Sequence, residues 1–369
     1  VIILTVNAGS TSVKLALFVA DAGRAPKLLA RASHSGTDLD AHALLGGFLA
    51  AHARSPDAVA HRVVHGGAQF TRPTVIGPDV EARIAALSEL APLHNPAALR
   101  WIAAARGICP QALHVAVFDT AFFADMPRVA AEYAIPPDLA REHGVRRYGF
   151  HGIAHEAMWR RWCELRPDLE RGGRLITLHL GGGCSMAAID RGHPLDTSMG
   201  FSPLEGLVMA TRCGDIDPSV VPFLARHLSV SAEGVLELLN KRSGLLGVSG
   251  RTSSAGELLA DADPQAQLAV EQYCYRARKY VGAYLAVLGG AHGIVFGGGV
   301  GEHVPEVRER ILQDLEWAGI VLDRDANRRS RSGEARLSAP ESRVDVFVVE
   351  TAEEPALARA ALTLAAVQS

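Results

Sequence analysis

One pattern occurs twice in this chain and limits its architecture more than any other. It is an apolar strand, a turn of small residues and a second apolar strand. The first copy is VIILTVNAGSTSVKLALF at residues 1–18; the second is LITLHLGGGCSMAAID at residues 175–190. With Ser12 set against Ser185, Gly9-Ser10-Thr11-Ser12 overlies Gly182-Gly183-Cys184-Ser185. A unit repeated about half a chain apart predicts two related domains, each presenting a hairpin with a small-residue tip. Glycines carry no Cβ, so main-chain N–H groups at such tips can approach an anion closely. Two facing tips would make a cleft lined by N–H and hydroxyl donors, which is a phosphate site, with Lys14 adding charge beside the first tip.

The second tip opens the stretch richest in chemistry, residues 179–219. Asp196, Arg212, Asp215 and Asp217 stand there amid Gly, Ser, Thr and Pro. Such a stretch is either a solvated surface loop or a loop that carries function. Elsewhere single polar residues interrupt apolar runs. Arg62 falls inside the strand-like AVAHRVVHGG, where a guanidinium must be paired or must await an anion. Asp119 follows the apolar VAVF run, and ligands of open α/β sheets sit at that strand edge. His151, in YGFHG, precedes a helix start expected near Ile153.

The remaining pattern is α/β. Apolar spacing and end signals predict helices over 41–53, 80–90, 97–106, 220–226, 232–241 and 264–288. Strands are expected over 115–123 and 344–350, and residues 243–259 read as a Gly/Ser loop leading into a helix. Residues 293–312 read as strand, glycine turn and helix, with Gly298, Gly299, Val300 and Gly301 in the turn. Their spacing is wrong for a dinucleotide fingerprint and suits backbone approaching a flat ligand such as a purine. The terminal helix is expected to pack back on the first domain.

Totals exclude several classes. A chain of 369 residues is long for one core. Its net charge of −3 gives no electrostatic case for nucleic acid or an anionic membrane. No apolar run has spanning length, and the first residues read as a strand rather than a signal peptide. Five scattered cysteines without a CxxC fit a reducing cytosol, so a cytoplasmic location is expected. The pairs His61/His65 and His151/His155 have i,i+4 spacing but no completing ligand, which argues against zinc.

Ten strings occur in one order along nearly the whole chain: NAGSTSVK, HRVVHGG, APLHNP, VFDTAFF, YGFHGIAH, HLGGGCS, DTSMGFSPLEG, TRCGDIDPS, SGLLGVSG and GGGVGEH. Together they resemble the acetate kinase family. The resemblance implies two duplicated ribonuclease-H-like domains of the actin, Hsp70 and sugar-kinase superfamily, with a nucleotide cleft between them. On this sequence the first domain is expected at 1–122 plus 355–369, and the second at 123–354.

The implied activity is reversible transfer from ATP to acetate, giving acetyl phosphate and ADP. Mg²⁺ would assist, with Mn²⁺ able to replace it, and the family forms homodimers. The resemblance implies catalytic roles for Arg62, Asp119, His151 and Arg212. It implies an acetate pocket of Arg62, Val64, Leu93 and Pro203. Phosphate contacts would come from Ser10, Ser12, Lys14, His179, Gly181, Gly182, Gly183 and Gly298 to Gly301, and metal contacts from Asn7 and Glu353, with Glu354 as substitute. Propionate kinase, a short-chain acid kinase with another donor, and a non-catalytic nucleotide switch are the alternatives.

Four departures from the family pattern stand out. Gly182 replaces an Asn, His303 replaces an Asn, and Ile153-Ala154 replace two hydroxyl residues. Ser254-Ala255-Gly256 stand where the family has an Asp-Phe-Arg-like triplet that packs on adenine and ribose. The base end of the site is therefore expected to be loosened and selectivity for ATP weakened.

Overall fold

The computed structural model describes residues 1–9, 12–21, 24–36, 39–92 and 94–368. The chain forms two compact units. The first comprises Val1–Ala124, Phe150–Ala157 and Ala352–Ser369; the second comprises Asp125–Gly149 and Met158–Thr351.

Each unit is built on a six-stranded sheet. In the first, the strands are β1 (Ile2–Ala8), β2 (Ser12–Val19), β3 (Lys27–Ser35), β4 (Ala58–Val63), β5 (Thr74–Val75) and β6 (Leu113–Phe118), in the order β3-β2-β1-β4-β6-β5. In the second they are β7 (Arg174–Leu180), β8 (Cys184–Asp190), β9 (His193–Thr197), β10 (Gly293–Gly297), β11 (Ala335–Arg336) and β12 (Asp345–Val348), in the order β11-β12-β10-β7-β8-β9. The two orders are one pattern. An antiparallel meander (β1–β3, β7–β9) is joined by two parallel strands (β4 and β6, β10 and β12), and a short antiparallel strand closes the far edge. The repeated hairpin of the sequence is the seed of that repeat.

The first sheet is covered on both faces, so its central strands are mostly apolar rather than alternating. Leu4, Val6 and Ala8 pack with Leu45, Phe48 and Leu49 of the helix Ala41–His52, and with Trp101 and Ala105 of the helix Asn95–Ile108. Ile3, one pleat away, packs instead with Ile153 and with Leu357, Ala358 and Ala361 of the terminal helix Glu353–Gln368. In the second unit the helix Pro264–Leu288 starts as its sequence dictates. Asp263 caps the Gln265 N–H, Pro264 stands in the first turn, and Gly289 takes the left-handed conformation just past the end.

Three local readings change. The strand expected over 115–123 ends at Phe118, and Ala121–Phe123 is a 3-10 turn. The expected loop over 243–259 contains the helix Gly244–Ser249 before the helix Ala255–Ala260. Gly244 can start it because its φ of +61° is open to glycine, and a Cβ there would meet the Met209 carbonyl oxygen. Gly298 begins a helix, Gly298–His303, rather than a turn. The strands β3 and β9 give no alternating apolar signal and went unread. Among the described residues, no helix is long and apolar enough to cross a membrane.

Candidate active site

The parallel strands of the first unit gather one group of the expected residues. Val6 of β1 is paired with His61 of β4, and Val63 of β4 with Phe118 of β6. The next residues along, Asn7, Arg62 and Asp119, therefore gather at the same edge. The Asp119 N–H donates to the Val63 carbonyl at 3.0 Å, extending the ladder by one residue.

Arg62 is held from several sides. Its Nε donates to both Asp119 oxygens at 3.1 Å, and its Nη2 donates to Asp119 Oδ2 at 2.7 Å. Its Nη1 donates to Asn7 Oδ1 at 3.1 Å and lies 3.7 Å from Glu353 Oε2. The Asn7 amide nitrogen donates onward to Glu353 Oε2 at 2.7 Å and Glu354 Oε1 at 3.0 Å. Burial works to discharge Arg62, but Asp119, Glu353 and Glu354 outweigh it and hold the guanidinium above its usual range. Burial also pushes the Asp119 carboxyl up, against the pull of Arg62. Lys14 lies opposite Asn7 in the hairpin, its ammonium 3.9 Å from Glu354 Oε1. Asp119, Glu353 and Glu354 thus gather around Arg62, with Lys14 beside them.

His151 stands in the left-handed region at φ 57°, immediately before the helix Gly152–Leu165. Such backbone geometry clusters at functional sites but is not confined to them: Ala53, Arg171, Arg191, Ser229 and Asp314 adopt it here too. Gly152 donates its N–H to the Asp119 carbonyl oxygen at 2.9 Å, tying that helix start to the cluster. Val64 is buried just past β4. The next residue, His65, meets Phe150 edge to face at 5.5 Å between ring centres and accepts the Gly67 N–H at Nδ1. Burial lowers His65 to about 4, so the ring is neutral at pH 7. Ser12 begins β2, and its carbonyl accepts the Gly9 N–H at 2.8 Å. Ser10 and Leu93 lie outside the described residues. His61 lies on a strand and His151 precedes its helix, so neither i,i+4 histidine pair shares a helix face.

The second unit carries the other expected residues. His179 of β7 is paired with Ser185 of β8 across the second hairpin. At the tip the Gly181 N–H donates to the Gly183 carbonyl at 3.1 Å. A Cβ on Gly182 would meet nothing within 4 Å, so open space rather than crowding surrounds it. The Gly182 carbonyl accepts the Ala210 N–H at 3.2 Å, which joins the tip to the segment bearing Arg212.

Arg212 is half-buried and its Nη1 donates only weakly, to the Pro203 carbonyl at 3.4 Å and to Met209 sulfur at 3.8 Å. Among the described residues no carboxylate lies within ion-pair distance of it. Burial lowers its pKa, opposed only by the Cys184 thiol, which burial itself pushes up to about 11. A desolvated guanidinium without a counter-ion is suited to receive an anion.

The other charges of that stretch are engaged in hydrogen bonds. Asp215 accepts the Gly206 N–H at 2.8 Å and the Tyr280 hydroxyl at 2.9 Å. Asp217 accepts the Ser219 N–H at 2.8 Å, and Asp196 the Thr197 N–H at 2.7 Å. Glu205, which sequence reasoning passed over, anchors the loop ahead of Arg212. It accepts from Arg147 at 2.5 Å and from the Tyr133 hydroxyl, whose oxygen accepts the Phe201 N–H. No spacing rule links residues 133, 147 and 205.

The glycine run 298–301 divides by role. Gly298 has φ +77°, and a Cβ there would lie 2.6 Å from the Leu180 carbonyl oxygen, so only glycine fits. Its N–H is engaged by Glu302 and Thr351. Gly299 faces open space. Gly299 and Val300 occupy the first helical turn, where N–H groups have no acceptor within the helix.

The description "Acetokinase family" applies to a family model matching residues 32–359. An acetate kinase of Porphyromonas gingivalis is 46% identical over 312 residues, which is 84% of this chain and 78% of that protein. An acetate kinase of Clavibacter michiganensis is 50% identical over 314 residues, 84% of this chain and 79% of that protein. Among solved structures, that of P. gingivalis acetate kinase has a TM-score of 0.88 at 39% identity, covering 99% of each chain. A propionate kinase from Francisella tularensis has a TM-score of 0.88 at 34% identity, covering 98% of this chain and 99% of that one.

Proposed function

The chain belongs to the acetokinase family, and we propose that it transfers the terminal phosphoryl group of ATP reversibly to acetate, giving acetyl phosphate and ADP. The observation that carries this reading is Arg62, held charged among Asp119, Asn7 and Glu353 beside the buried Val64.

The chemistry asks little in the way of proton transfer. Acetate is an ordinary carboxylic acid and is already an anion at pH 7, so it needs no general base. The obstacle is repulsion between that anion and a polyanionic phosphate. On this reading Arg62 holds the carboxylate and Asp119 fixes the guanidinium by its fork of hydrogen bonds. Val64 is the apolar residue of the first unit that would meet the methyl group. Arg212, with no carboxylate within ion-pair distance among the described residues, takes the transferring phosphoryl group, and His151 is assigned to steady that group. His179 and the turns at Gly181 to Gly183 and Gly298 to Gly301 cradle the donor phosphates, with Ser12 and Lys14 at the first hairpin. Such pre-placed charge supports in-line transfer without reorganisation during the step.

A divalent cation fits the donor set. Asn7, Asp119, Glu353 and Glu354 offer hard oxygen atoms beside Arg62 and Lys14. Among the described residues no three His, Cys, Asp or Glu form a ready-made metal cage. Mg²⁺ suits that, since it binds one or two carboxylates and takes its other ligands from water and phosphates. Glu353 and Asn7 would hold it, and when bound it would neutralise charge on the donor phosphates. We place the enzyme in the cytoplasm as a homodimer, with Mn²⁺ able to replace Mg²⁺.

The test is acyl-phosphate formation trapped with hydroxylamine, in ATP and Mg²⁺, across acetate, propionate and butyrate. Product from acetate supports the reading, and no product from any acid removes it. The likeness to the F. tularensis propionate kinase favours propionate as the second substrate. One methylene in an apolar pocket discriminates by only about 1–3 kcal/mol.

A further inference from the structure

We infer that Glu302 is a positioning residue for the glycine turn of the second unit, setting the shape in which that turn meets the phosphoryl donor. The inference rests on the kinase reading above and adds a residue which that reading does not use.

The turn is part of a helix of only six residues, Gly298–His303. A helix this short cannot hold its own shape, because most of its N–H and C=O groups lack partners within it. The Glu302 carboxylate folds back along the helix. Its Oε1 accepts the Gly298 N–H at 3.0 Å and the Thr351 N–H at 2.9 Å. The Thr351 hydroxyl accepts the same Gly298 N–H at 2.9 Å. One oxygen atom therefore joins the start of the turn to the main chain two residues ahead of Glu353.

The far end of the helix is held by a second charged group. Arg308 is fully buried, and its Nη1 donates to the carbonyls of Gly301 at 2.7 Å and Glu302 at 3.0 Å. Its Nε donates to Asn327 Oδ1 at 2.8 Å. Burial draws this guanidinium down to about 10, still charged at neutral pH. The helix thus lies between two fixed side chains, one at each end.

Geometry, rather than local charge, is what Glu302 contributes. A carboxylate at this point consumes the Gly298 N–H and places negative charge where donor phosphates would approach, which by charge alone weakens anion binding. What it leaves is a rigid turn with the N–H groups of Gly299 and Val300 in a set direction.

Steady-state kinetics of Glu302→Ala and Glu302→Gln, with thermal melts and calorimetric ATP binding, test this. Glu302→Ala is expected to raise the KM for ATP about tenfold or more and to leave the KM for acetate within about twofold. Glu302→Gln keeps an oxygen able to accept both N–H groups and is expected to restore most of the loss. An unchanged KM for ATP in folded Glu302→Ala overturns the inference. So does tighter ATP binding in both variants, which would make charge the decisive property. Should Glu302→Ala fail to fold, Glu302→Asp, one methylene short of both amides, provides the same comparison. Absence of acetyl phosphate with the unaltered protein would count against the kinase reading alone. The calorimetric ATP affinities would still decide the role of Glu302.

Discussion

Gly152 donates its backbone N–H to the carbonyl oxygen of Asp119 at 2.9 Å, and a Cβ at Gly152 would overlap that same oxygen. The start of one helix is thereby locked to the residue that grips Arg62. His151, strained at φ 57°, is the residue immediately before the contact. Gly152→Ala must push the helix start away from Asp119. We expect kcat to fall by about tenfold or more, from misplacement of a few tenths of an ångström to 1 Å, in a protein that still folds. Circular dichroism and kinetics on the same sample check this; wild-type turnover would show that the contact is incidental.

The two arginines should differ in stability although both should abolish turnover. Arg62→Ala leaves Asp119 buried without its cation, which costs about 3–5 kcal/mol. Arg212 has no carboxylate partner among the described residues, so Arg212→Ala should leave stability within about 1 kcal/mol or raise it. Each variant should lose about 10²-fold or more in turnover. Urea unfolding beside kinetics tests the contrast, and equal destabilisation would contradict the buried-pair account.

Stability should fall with acid through His65. Its Nδ1 accepts the Gly67 N–H at 2.9 Å, and burial lowers it from 6.5 to about 4. Between those values the unfolded chain binds a proton that the folded protein refuses. The stabilisation is therefore complete above pH 6.5 and is lost as pH falls toward 4. His61 and His114, buried and bonded to each other at 3.1 Å, are lowered chiefly by burial and act with the same sign. His65→Asn keeps an acceptor but cannot titrate. Unfolding free energies at pH 7.5, 6 and 5 should show a shallower slope in that variant, and identical slopes would exclude His65 as a contributor.

Donor choice should be relaxed. Ser254 is the cap of the helix Ala255–Ala260, its hydroxyl accepting the Glu257 N–H at 3.3 Å, and a Cβ on Gly256 would face open space. Neither residue can supply the charge or ring of the family's triplet at this place. We expect kcat/KM for GTP and inosine triphosphate to lie within about tenfold of that for ATP. Assays across these nucleotides and pyrophosphate decide it, and strict use of ATP would refute the expectation.

Much of the architecture was legible because it is written in local chemistry. The repeated hairpin, the apolar strands buried on both faces and the Asp-Pro start and Gly stop of the helix at 264–288 each follow from residues near one another in sequence. So did the oddity of Arg62, a guanidinium inside an apolar run. The fate of that charge was not legible. Asn7, Arg62, Asp119 and Glu353 are separated by up to 346 residues, and only parallel strand register and the returning terminal helix bring them together. The same limit explains why the sequence left the role of Asp215 open, and why it did not single out Glu205 or Glu302. A carboxylate becomes a hinge pin, a cap or a ligand according to the donor set in front of it. Sequence alone determined which groups this protein owns and which strands must carry them. Only the tertiary structure decided which of those groups spend their hydrogen bonds on each other, because partners such as Asn7 and Glu353 are distant in sequence and meet only in the fold.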